Sequence, residues 1–440
     1  MQLYIGLDLG TSAVKALALD ERGRVAAQAS ASYPTTAPAP GWAEQDPADW
    51  TRATHRALAD LLSRAPMAAR PRAIALTGQL PTLVVLNLDG NALCPAIVWY
   101  DGRAEAEAES LCRQVDAETW YRRSGIVLDA HYLAPMYRWL ARHSPATLSA
   151  PHRVCSAKDA LLHALTGEWY TDPSTASGYG TYDPIGGAWD PLLCGVAGLH
   201  GNELPGVRQP HTVVGTLVTD PGVARLLKGT PVVLGAGDAL TGVLGCGGAA
   251  AATLAAITGT STSMVVSIQA PRLDPGRRFL LSPHALPELW ASEMDLMATG
   301  SALRWLAGIA GITPHALLDR AMAAPPGAHG VVAFPHLAGG EQGALWDPRA
   351  PAAFVGMSLG TTLDDLARAL LEGIAFEMRR CLAVWQEAQV PIQEIVLAGG
   401  LATPFVAALS AAALALPVRR AGLADASAFG AALLAGIGVG

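Results

Sequence analysis

Near the N-terminus the chain reads Leu3-Tyr-Ile-Gly-Leu-Asp-Leu-Gly-Thr-Ser12, and the fold class follows from this segment. Apolar side chains stand at every second position from Leu3 to Leu9, which is the period of a β-strand. Gly10-Thr-Ser12 then predicts a turn, because glycine and short hydroxyl residues favour tight reversals. Residues 14–19 and 25–30 predict two further strands. The segment is therefore expected to form an antiparallel meander.

A second strand–turn–strand pattern occurs in the other half of the chain. Residues 254–257 and 264–268 are apolar and flank Thr258-Gly-Thr-Ser-Thr-Ser263. Two copies so far apart predict two similar domains rather than a short-period repeat. We place the boundary after residue 237, so that residues 1–237 form an N-terminal domain and residues 238–440 a C-terminal domain.

Helix signals between the strands complete an α/β pattern. Asp46-Pro47 predicts a capped helix start. Thr362, followed three positions later by an aspartate, predicts a capping box and a long amphipathic helix. A short apolar run before Gly399-Gly400, with Thr403-Pro404 after it, predicts a strand–turn–helix unit.

Composition narrows the class of protein. The chain has 440 residues, 51% hydrophobic and 15% charged, and its 30 Lys and Arg against 37 Asp and Glu give a net charge of -7. A charged share of about 25% is usual, so the chain is rich in core residues and is not disordered. The acidic balance argues against a nucleic-acid partner. Glycines and polar residues interrupt the uncharged stretches 239–271 and 395–418, so no membrane span is expected.

Asp8 and the turn after it could form a phosphate site. A carboxylate can hold Mg²⁺ through water, and the N–H groups and hydroxyls of Gly10-Thr-Ser12 can bind phosphate oxygens. Lys15 could add a positive charge. The alternative is an ordinary hairpin with an aspartate near its turn. Thr258-Gly-Thr-Ser261 lacks the lysine of a GxxxxGK[ST] loop, and it could form the other side of a phosphate clamp or a polar turn between buried strands.

Asp238 stands at the end of Gly235-Ala-Gly-Asp238, directly after an apolar strand. Partial burial would raise the pKa of its carboxyl group and favour a general base. The alternative, compatible with the first, is a cap on a helix that begins at Ala239. Gly399-Gly400 could admit an adenine or a phosphate near a helix N-terminus.

Trp99 is followed closely by Asp101 and Arg103. An aromatic ring beside a carboxylate and a guanidinium could line a sugar site. The alternative is an exposed ion pair beside a core tryptophan.

Taken in order along the chain, these motifs resemble those of the FGGY family of carbohydrate kinases. Each motif alone is modest, but the ordered set is specific and covers nearly the whole chain. The segments that carry the resemblance are Ile5-Gly-Leu-Asp-Leu-Gly-Thr-Ser12, Gly41-Trp-Ala-Glu-Gln-Asp-Pro47 with Trp50, Thr77-Gly-Gln79, Pro95-Ala-Ile-Val-Trp99, Asp101-Gly-Arg103, Lys158-Asp159, Leu165-Thr-Gly-Glu168, Thr171-Asp172 through Ala176-Ser177, Gly235-Ala-Gly-Asp238, Thr258-Gly-Thr-Ser261, Leu397-Ala-Gly-Gly400 and Asp425-Ala-Ser-Ala-Phe-Gly430.

The resemblance implies an α/β fold of two ribonuclease-H-like (actin-like ATPase) domains, with a cleft between them that closes over ATP, Mg²⁺ and a sugar. Asp238 would accept the proton of the attacking hydroxyl, and both Asp238 and Asp8 would serve the metal ion, Asp8 through water. The nucleotide-binding residues implied are Thr11, Ser12, Lys15, Gly259, Thr260, Ser261, Gly399 and Gly400. The substrate-binding residues implied are Gln79, Leu80, Pro81, Trp99, Asp101, His131 and Asp238.

The resemblance indicates the reaction more strongly than the acceptor. Family members that act on D-xylulose usually carry Gly-Gln-Met-His-Gly, where this chain has Gly78-Gln-Leu-Pro-Thr82. Pro81 thus removes a histidine that would bind the sugar, and His131 could compensate. Tyr100 stands where Asn is common, and Gly340-Glu-Gln342 where Gly-Glu-Arg is usual. D-xylulose, converted to D-xylulose 5-phosphate, is the first candidate, with L-ribulose, glycerol and erythritol as alternatives.

A nucleotide-binding switch or sugar sensor without turnover is the alternative of a different class. The presence of Asp238 argues against it. The expected partners are ATP and a small-molecule sugar, with no nucleic acid and no membrane, and a homodimer is left open. The N-terminal segment reaches Asp8 without a basic region, so no signal peptide is expected and a cytoplasmic protein is inferred.

Overall fold

The computed structural model describes residues 1–66, 69–218, 228–338, 343–347, 349–423 and 425–440. The segment Gly340-Glu-Gln342 lies outside them. The chain divides into two compact units: one contains Met1–Gly245, Leu281–Leu289 and Ser427–Gly440, and the other contains Cys246–Leu280 and Trp290–Ala426. The domain boundary expected after residue 237 stays a prediction.

The first unit is built on a mixed sheet. Its strands, in sheet order, are β13 (Val213–Thr216), β14 (Pro231–Gly237), β5 (Arg70–Gly78), β1 (Gln2–Leu9), β2 (Ala13–Leu19) and β3 (Val25–Ser32). β2 pairs antiparallel with β1 and β3, which confirms the predicted meander. β5 pairs parallel with both β1 and β14.

Helices and short strand pairs complete the first unit. The helices are α1 (Pro47–Arg64), α2 (Glu105–Gln114), α3 (Ala117–Ser124), α4 (Leu133–His143), α5 (Ala157–Thr166), α6 (Pro173–Ser177), α7 (Pro191–Ala197), α8 (Asp238–Gly245) and α13 (Ala426–Val439), with a 3₁₀ turn at Pro145–Leu148. The short strands are β4 (Glu44–Gln45), β6 (Val84–Asn87), β7 (Ala96–Ile97), β8 (His152–Cys155), β9 (Tyr170–Thr171), β10 (Tyr182–Asp183), β11 (Ala188–Trp189) and β12 (Gly206–Val207).

Helix α1 begins as the sequence predicts. The Asp46 side chain accepts a hydrogen bond from the amide of Ala48, and Pro47 is the first helical residue. The helix buries one face, including Trp50, Leu58 and Leu61, in the same apolar core as the strands of the sheet. This burial, rather than helix propensity, supplies most of its stability.

The second unit repeats the arrangement. Five consecutive strands of its six-stranded sheet are, in order, β18 (Trp290–Leu296), β16 (Thr262–Ile268), β15 (Thr253–Thr258), β21 (Glu394–Gly399) and β22 (Val418–Arg420), and β17 (Leu280–Pro283) pairs with β18 at the edge. The first three strands are antiparallel and the last three parallel, as in β3, β2, β1, β5 and β14. The similarity of the two domains predicted from the sequence is therefore confirmed. The other elements are β19 (Val332–Phe334), β20 (Ala353–Val355), α9 (Gly300–Ile309), α10 (Pro314–Ala323), α11 (Leu363–Glu387), α12 (Pro404–Leu414) and a 3₁₀ turn at Ala328–Gly330.

The long helix and the strand–turn–helix unit form as predicted. Thr362 and Asp365 make both hydrogen bonds of a capping box at the start of α11. Thr403 caps α12, whose first residue is Pro404. Within the described part of the chain, no helix has the length and apolar character needed to cross a membrane.

One glycine in each sheet is required by the backbone. Gly235 in β14 has φ +76°, and a Cβ there would lie 1.5 Å from the carbonyl oxygen of Leu76. Gly399 in β21 has φ +90°, and its Cβ would lie 2.0 Å from the carbonyl oxygen of Thr258. Both the left-handed φ and the close neighbouring strand exclude a side chain at these positions.

Candidate active site

Three predicted site residues lie at the C-terminal ends of three adjacent strands of the first sheet. The ends of β1, β5 and β14 are in register, since Leu9 pairs with Gly78 and Gly78 with Gly237. Asp8 is the second-last residue of β1, while Gln79 and Asp238 follow β5 and β14 directly. Ligands of α/β sheets bind at the carboxyl ends of parallel strands.

Asp8 is buried beside the first turn. Its strand partner on β2 is Lys15, and opposite charges at directly paired positions attract. A Cβ on Gly10 would lie 3.9 Å from a carboxylate oxygen of Asp8, so the turn passes close to the acid. The hydroxyl of Tyr33 donates to the carbonyl of Gly10. Burial first, and then the charge of Asp8, raises the pKa of Tyr33, which keeps this donor protonated.

Side chains from two other segments hold the turn in place. Gln45 Nε2 donates to the carbonyl of Thr11 at 2.8 Å. Trp99 Nε1 donates to the Thr11 hydroxyl at 3.1 Å. Ser12, the next residue, is exposed. The predicted phosphate turn is therefore pre-formed, with Thr11 fixed at both its backbone and its side chain.

Gln79 is hydrogen-bonded to Gln45, the side chain that also contacts the first turn. Its Nε2 donates to Gln45 Oε1 at 2.8 Å, and Trp50 Nε1 donates to that oxygen at 3.0 Å. Gln79 is 1% exposed, and no described residue donates to its Oε1. A buried acceptor normally finds a donor, so this oxygen can receive a hydrogen bond from a ligand hydroxyl.

Leu80 lies between two glycines. A Cβ on Gly178 would fall 2.5 Å from Leu80 Cδ1, and one on Gly237 would fall 3.2 Å from Leu80 Cδ2. The Leu80–Pro81 peptide bond is cis. Leu80 thus presents an apolar wall beside the residue that precedes Asp238, and Pro81 supplies neither a side-chain donor nor an acceptor.

Asp238 is the first residue of α8, and its backbone is firmly held. Its carbonyl oxygen accepts from the hydroxyls of Thr241 at 3.1 Å and Ser427 at 3.0 Å. One carboxylate oxygen accepts from the amide of Ala239 at 2.9 Å. The side chain is partly exposed, so a ligand can reach it. The helix begins at Asp238 and not at Ala239, so the predicted N-cap is wrong: Asp238 is the first helical residue. Its role as general base stays a prediction.

Asp101 is held in an ion pair. Its carboxylate, which is completely buried, accepts from Arg103 Nη2 at 2.7 Å and from the amide of Ala43. The guanidinium also reaches Glu44 at 2.8 Å and stacks on Trp42 at 3.8 Å. The ion-pair alternative is therefore realised in a buried rather than an exposed form. A direct contact from Asp101 to substrate stays a prediction.

His131 lies near this pair without contacting the other predicted residues in the described structure. Its Nδ1 is 3.1 Å from a carboxylate oxygen of Asp129. Burial opposes its protonation, but the hydrogen bond to Asp129 and the charges of Asp129, Asp101 and Glu105 outweigh burial and raise its pKa. Whether it replaces the histidine missing at position 81 stays a prediction.

The second unit holds the other predicted phosphate turn. The amide of Gly259 donates to the carbonyl of Ser261 at 2.7 Å, which closes the turn. The carbonyl of Thr260 accepts from the amide and hydroxyl of Ser301 in the first turn of α9. Arg304 Nη2 donates to the Thr260 hydroxyl at 3.1 Å. The turn thus carries a cation that its own sequence lacks.

Gly399-Gly400 adjoins this turn at Thr258. The amide of Gly400 donates to the Thr258 carbonyl at 2.9 Å, and the Thr258 hydroxyl accepts from Leu401 at 3.0 Å. A Cβ on Gly400 would meet nothing within 4 Å. The second phosphate motif and the glycine pair therefore form one surface, with open space beside Gly400.

Comparison with known proteins gives the family. Models of the N-terminal and C-terminal domains of the FGGY family of carbohydrate kinases match residues 3–245 and 254–439. This chain belongs to the FGGY family of carbohydrate kinases. The predicted family and its two-domain, actin-like α/β fold are thereby confirmed.

Relatives of this FGGY kinase include proteins named for two different activities, xylulose kinase and glycerol kinase. The chain is 30% identical over 401 residues to a xylulose kinase of Escherichia coli (strain K12), covering 90% of this chain and 82% of the relative. It is also 30% identical over 463 residues to a glycerol kinase of Acidovorax sp. (strain JS42), covering 100% and 91%. The crystal structure of xylulose kinase from Rhodospirillum rubrum is 33% identical, with a TM-score of 0.91 over 100% of this chain and 90% of that one.

Several contacts of this FGGY kinase's site were not predicted. Gln45 and Ser427 lie in motifs quoted for the resemblance, but their partners, Thr11 and Asp238, are distant in sequence. Arg304 lies outside the quoted motifs. Charge in an otherwise apolar helix was the only signal available for it, and a lone arginine is usually a solvated side chain.

Proposed function

We propose that this carbohydrate kinase transfers the γ-phosphoryl group of ATP to a hydroxyl of a ketose or polyol, with D-xylulose as the first acceptor to test. The observation that carries the proposal is the alignment of Asp8, Gln79 and Asp238 at the ends of three adjacent strands. A xylulose kinase and a glycerol kinase are equally similar to this chain, each at 30% identity, so the acceptor must be determined by experiment.

Asp238 acts as the general base in this proposal. The acceptor hydroxyl oxygen forms the new bond to the γ-phosphorus, the bond from that phosphorus to the β–γ bridging oxygen breaks, and ADP leaves. The hydroxyl proton passes to the Asp238 carboxylate. Phosphoryl transfer depends mainly on positioning and charge stabilisation, and the hydrogen bonds on the Asp238 backbone supply part of that positioning.

The first turn and its surroundings suit a phosphate ligand. Thr11 and Ser12 offer hydroxyls and backbone donors, and Lys15 stands opposite Asp8 to balance its charge. In the second unit, Thr260 with Arg304, and Gly259 with Gly400, would bind the rest of the nucleotide. Positive charge near transferred phosphates stabilises the charge that moves to ADP.

The residues present fit a magnesium ion bound mainly by the nucleotide. Among the described residues, no cluster of three or more His, Cys, Asp or Glu side chains could hold a metal alone. Mg²⁺ in such sites keeps several waters and takes only one or two carboxylates in addition to phosphates. Asp8, buried beside Gly10, would hold it through water, with Asp238 as the second carboxylate. When bound, the ion would neutralise phosphate charge.

The predicted acceptor residues Gln79, Leu80 and Pro81 offer few polar side-chain atoms. Gln79 Oε1 is available to accept from one hydroxyl, whereas Leu80 and Pro81 offer no polar atom beyond the backbone. This arrangement is the specific reason to test glycerol and erythritol alongside the ketoses, because short polyols need fewer polar contacts.

The proposal is tested by ADP release in a coupled assay with Mg-ATP and D-xylulose, L-ribulose, glycerol or erythritol. The highest kcat/KM identifies the acceptor, and turnover with any of them supports the kinase chemistry. No turnover with all four, together with tight ATP binding, would overturn these acceptors and favour the sensor hypothesis. A homodimer stays a prediction for sedimentation analysis.

A further inference from the structure

A cluster of buried charges lies behind the Asp238 segment. Lys158 Nζ is 2.9 Å from Asp159 and 3.2 Å from Asp172, and all three side chains are almost completely buried. Burial opposes the charge on Lys158, but the two carboxylates outweigh it and raise its pKa, so the lysine stays charged. Buried ion pairs are costly to desolvate and contribute little to stability. Stability alone therefore does not explain the presence of this charge cluster.

A chain of hydrogen bonds connects this cluster to the residue before Asp238. Asp172 accepts from the hydroxyl and, at 2.9 Å, from the amide of Ser174. The Ser174 oxygen in turn accepts from the amide of Gly237 at 3.0 Å. The hydroxyl therefore donates to the carboxylate and accepts from the backbone, so its orientation is fixed by the charge cluster.

This contact completes the support of the segment. The carbonyl of Gly237 accepts from Thr241 at 3.3 Å, and the carbonyl of Asp238 accepts from Thr241 and Ser427. Ser174 accepts from the amide N–H of Gly237, a group that these contacts to the carbonyl oxygens do not restrain. A glycine at this position has little conformational restraint of its own.

We propose that Ser174, oriented by the Asp172–Lys158 ion pair, is a positioning residue that fixes the Asp238 carboxylate against the acceptor hydroxyl. The inference rests on the proposed function, since it assigns Ser174 a role in the step that Asp238 performs. Ser174 is buried and contacts the reacting groups only through Gly237, so it acts on rate and not on ligand binding.

Thr175 provides a matched control. Its hydroxyl also donates to Asp172, on the other carboxylate oxygen, but it makes no hydrogen bond to Gly237 in the described structure. Ser174→Ala and Thr175→Ala each remove one buried hydroxyl from the same carboxylate. Only the first removes the link to the Asp238 segment.

The experiment compares the two variants in steady-state kinetics, thermal unfolding and hydrogen exchange of the peptide that contains Gly237. We expect kcat to fall about 10- to 100-fold in Ser174→Ala, with KM for ATP and acceptor unchanged, because a small misplacement of a catalytic group has this effect. Thr175→Ala should keep kcat within about twofold while losing as much thermal stability. Exchange at Gly237 should accelerate only in Ser174→Ala.

Equal loss of kcat in the two variants, or a kcat unchanged in Ser174→Ala, would overturn the inference. So would a KM for ATP that rises as far as kcat falls. If the unaltered protein phosphorylates none of the acceptors, the proposed function fails. The exchange measurement then decides separately whether Ser174 holds Gly237, and unaltered exchange in Ser174→Ala would overturn the inference.

Discussion

The hydroxyl of Ser427 donates to the backbone carbonyl of Asp238 at 3.0 Å, although 189 positions separate the two residues. Ser427 lies at the start of α13, whose sheet-facing side packs on β1: a Cβ on Gly6 would lie 1.9 Å from the carbonyl of Ala428. The end of the chain is thereby tied both to the central strand and to the segment of the proposed base.

Replacing Ser427 by Ala should reduce kcat about threefold to tenfold, because one of the two hydroxyls on the Asp238 carbonyl is lost and a hydrogen bond is worth about 1 kcal/mol. Steady-state kinetics with the best acceptor measure this. Ser63→Ala is the control, since its hydroxyl also donates to a backbone carbonyl, that of Asp60, but on the exposed side of α1. Equal kcat values in the two variants would argue against the role of Ser427.

Arg304 should contribute to nucleotide binding through the second phosphate turn. Arg304→Ala removes the cation beside Thr260 and should raise KM for ATP about fivefold, in line with about 1 kcal/mol for an exposed charge contact, with the acceptor KM unchanged. Arg320→Ala, which removes an exposed arginine paired with Asp364, should leave both KM values unaltered. A rise confined to the acceptor KM would contradict the assignment.

Gly235 and Gly23 distinguish the cost of a left-handed backbone conformation from the cost of a steric clash when glycine is replaced by alanine. Both have a left-handed φ, but a Cβ on Gly23 meets nothing within 4 Å, whereas one on Gly235 overlaps the carbonyl of Leu76. Gly23→Ala should lose about 1 kcal/mol of unfolding free energy. Gly235→Ala should lose several times more, because β5 must move. Denaturant midpoints measure both, and similar losses would contradict the close approach of β14 to β5.

Asp365 gives the stability of the second unit a pH dependence. The hydrogen bond from His329 first, and then those from the backbone and hydroxyl of Thr362, lower its pKa from 3.8 to about 2. A lowered carboxyl pKa stabilises the fold above pH 3.8, and that contribution is lost as pH falls toward 2. Asp365→Asn should therefore lower the melting temperature at pH 6, and its difference from the unaltered protein should disappear near pH 2.

Asp364→Asn is the control for this measurement. Asp364 is the neighbouring acid in the first turn of α11 and pairs only with exposed Arg320 at 3.3 Å in the described structure. Its replacement should change the melting temperature little at either pH. A pH-independent effect of Asp365→Asn would show that the capping carboxylate contributes by packing and not by charge.

Local pattern predicted the elements that local chemistry dictates. The alternation in β1, the Asp46-Pro47 start of α1 and the capping box of α11 each depend on residues within a few positions of one another. The same is true of the two similar strand–turn–strand units, because both copies are contiguous in the sequence.

Pairing between distant strands was outside the reach of such patterns. Nothing in the residues of β14 indicates that this strand lies beside β5. That pairing places Gln79 and Asp238 next to each other at the C-terminal ends of the two strands. For the same reason, the partner of Asp101 was predicted from adjacency, but its complete burial was not. The ordered motifs of the family supplied the long-range information that periodicity lacks.

The most direct measurement is ADP release by Asp238→Asn under Mg-ATP with the best acceptor, together with ATP affinity by titration calorimetry. Asp89→Asn, on an exposed turn, is the control. We expect turnover to fall at least about 100-fold while ATP affinity and melting temperature stay unchanged, since general-base catalysis contributes about 10²- to 10⁴-fold. Turnover in Asp238→Asn equal to that of Asp89→Asn would contradict the assignment of Asp238 as the base.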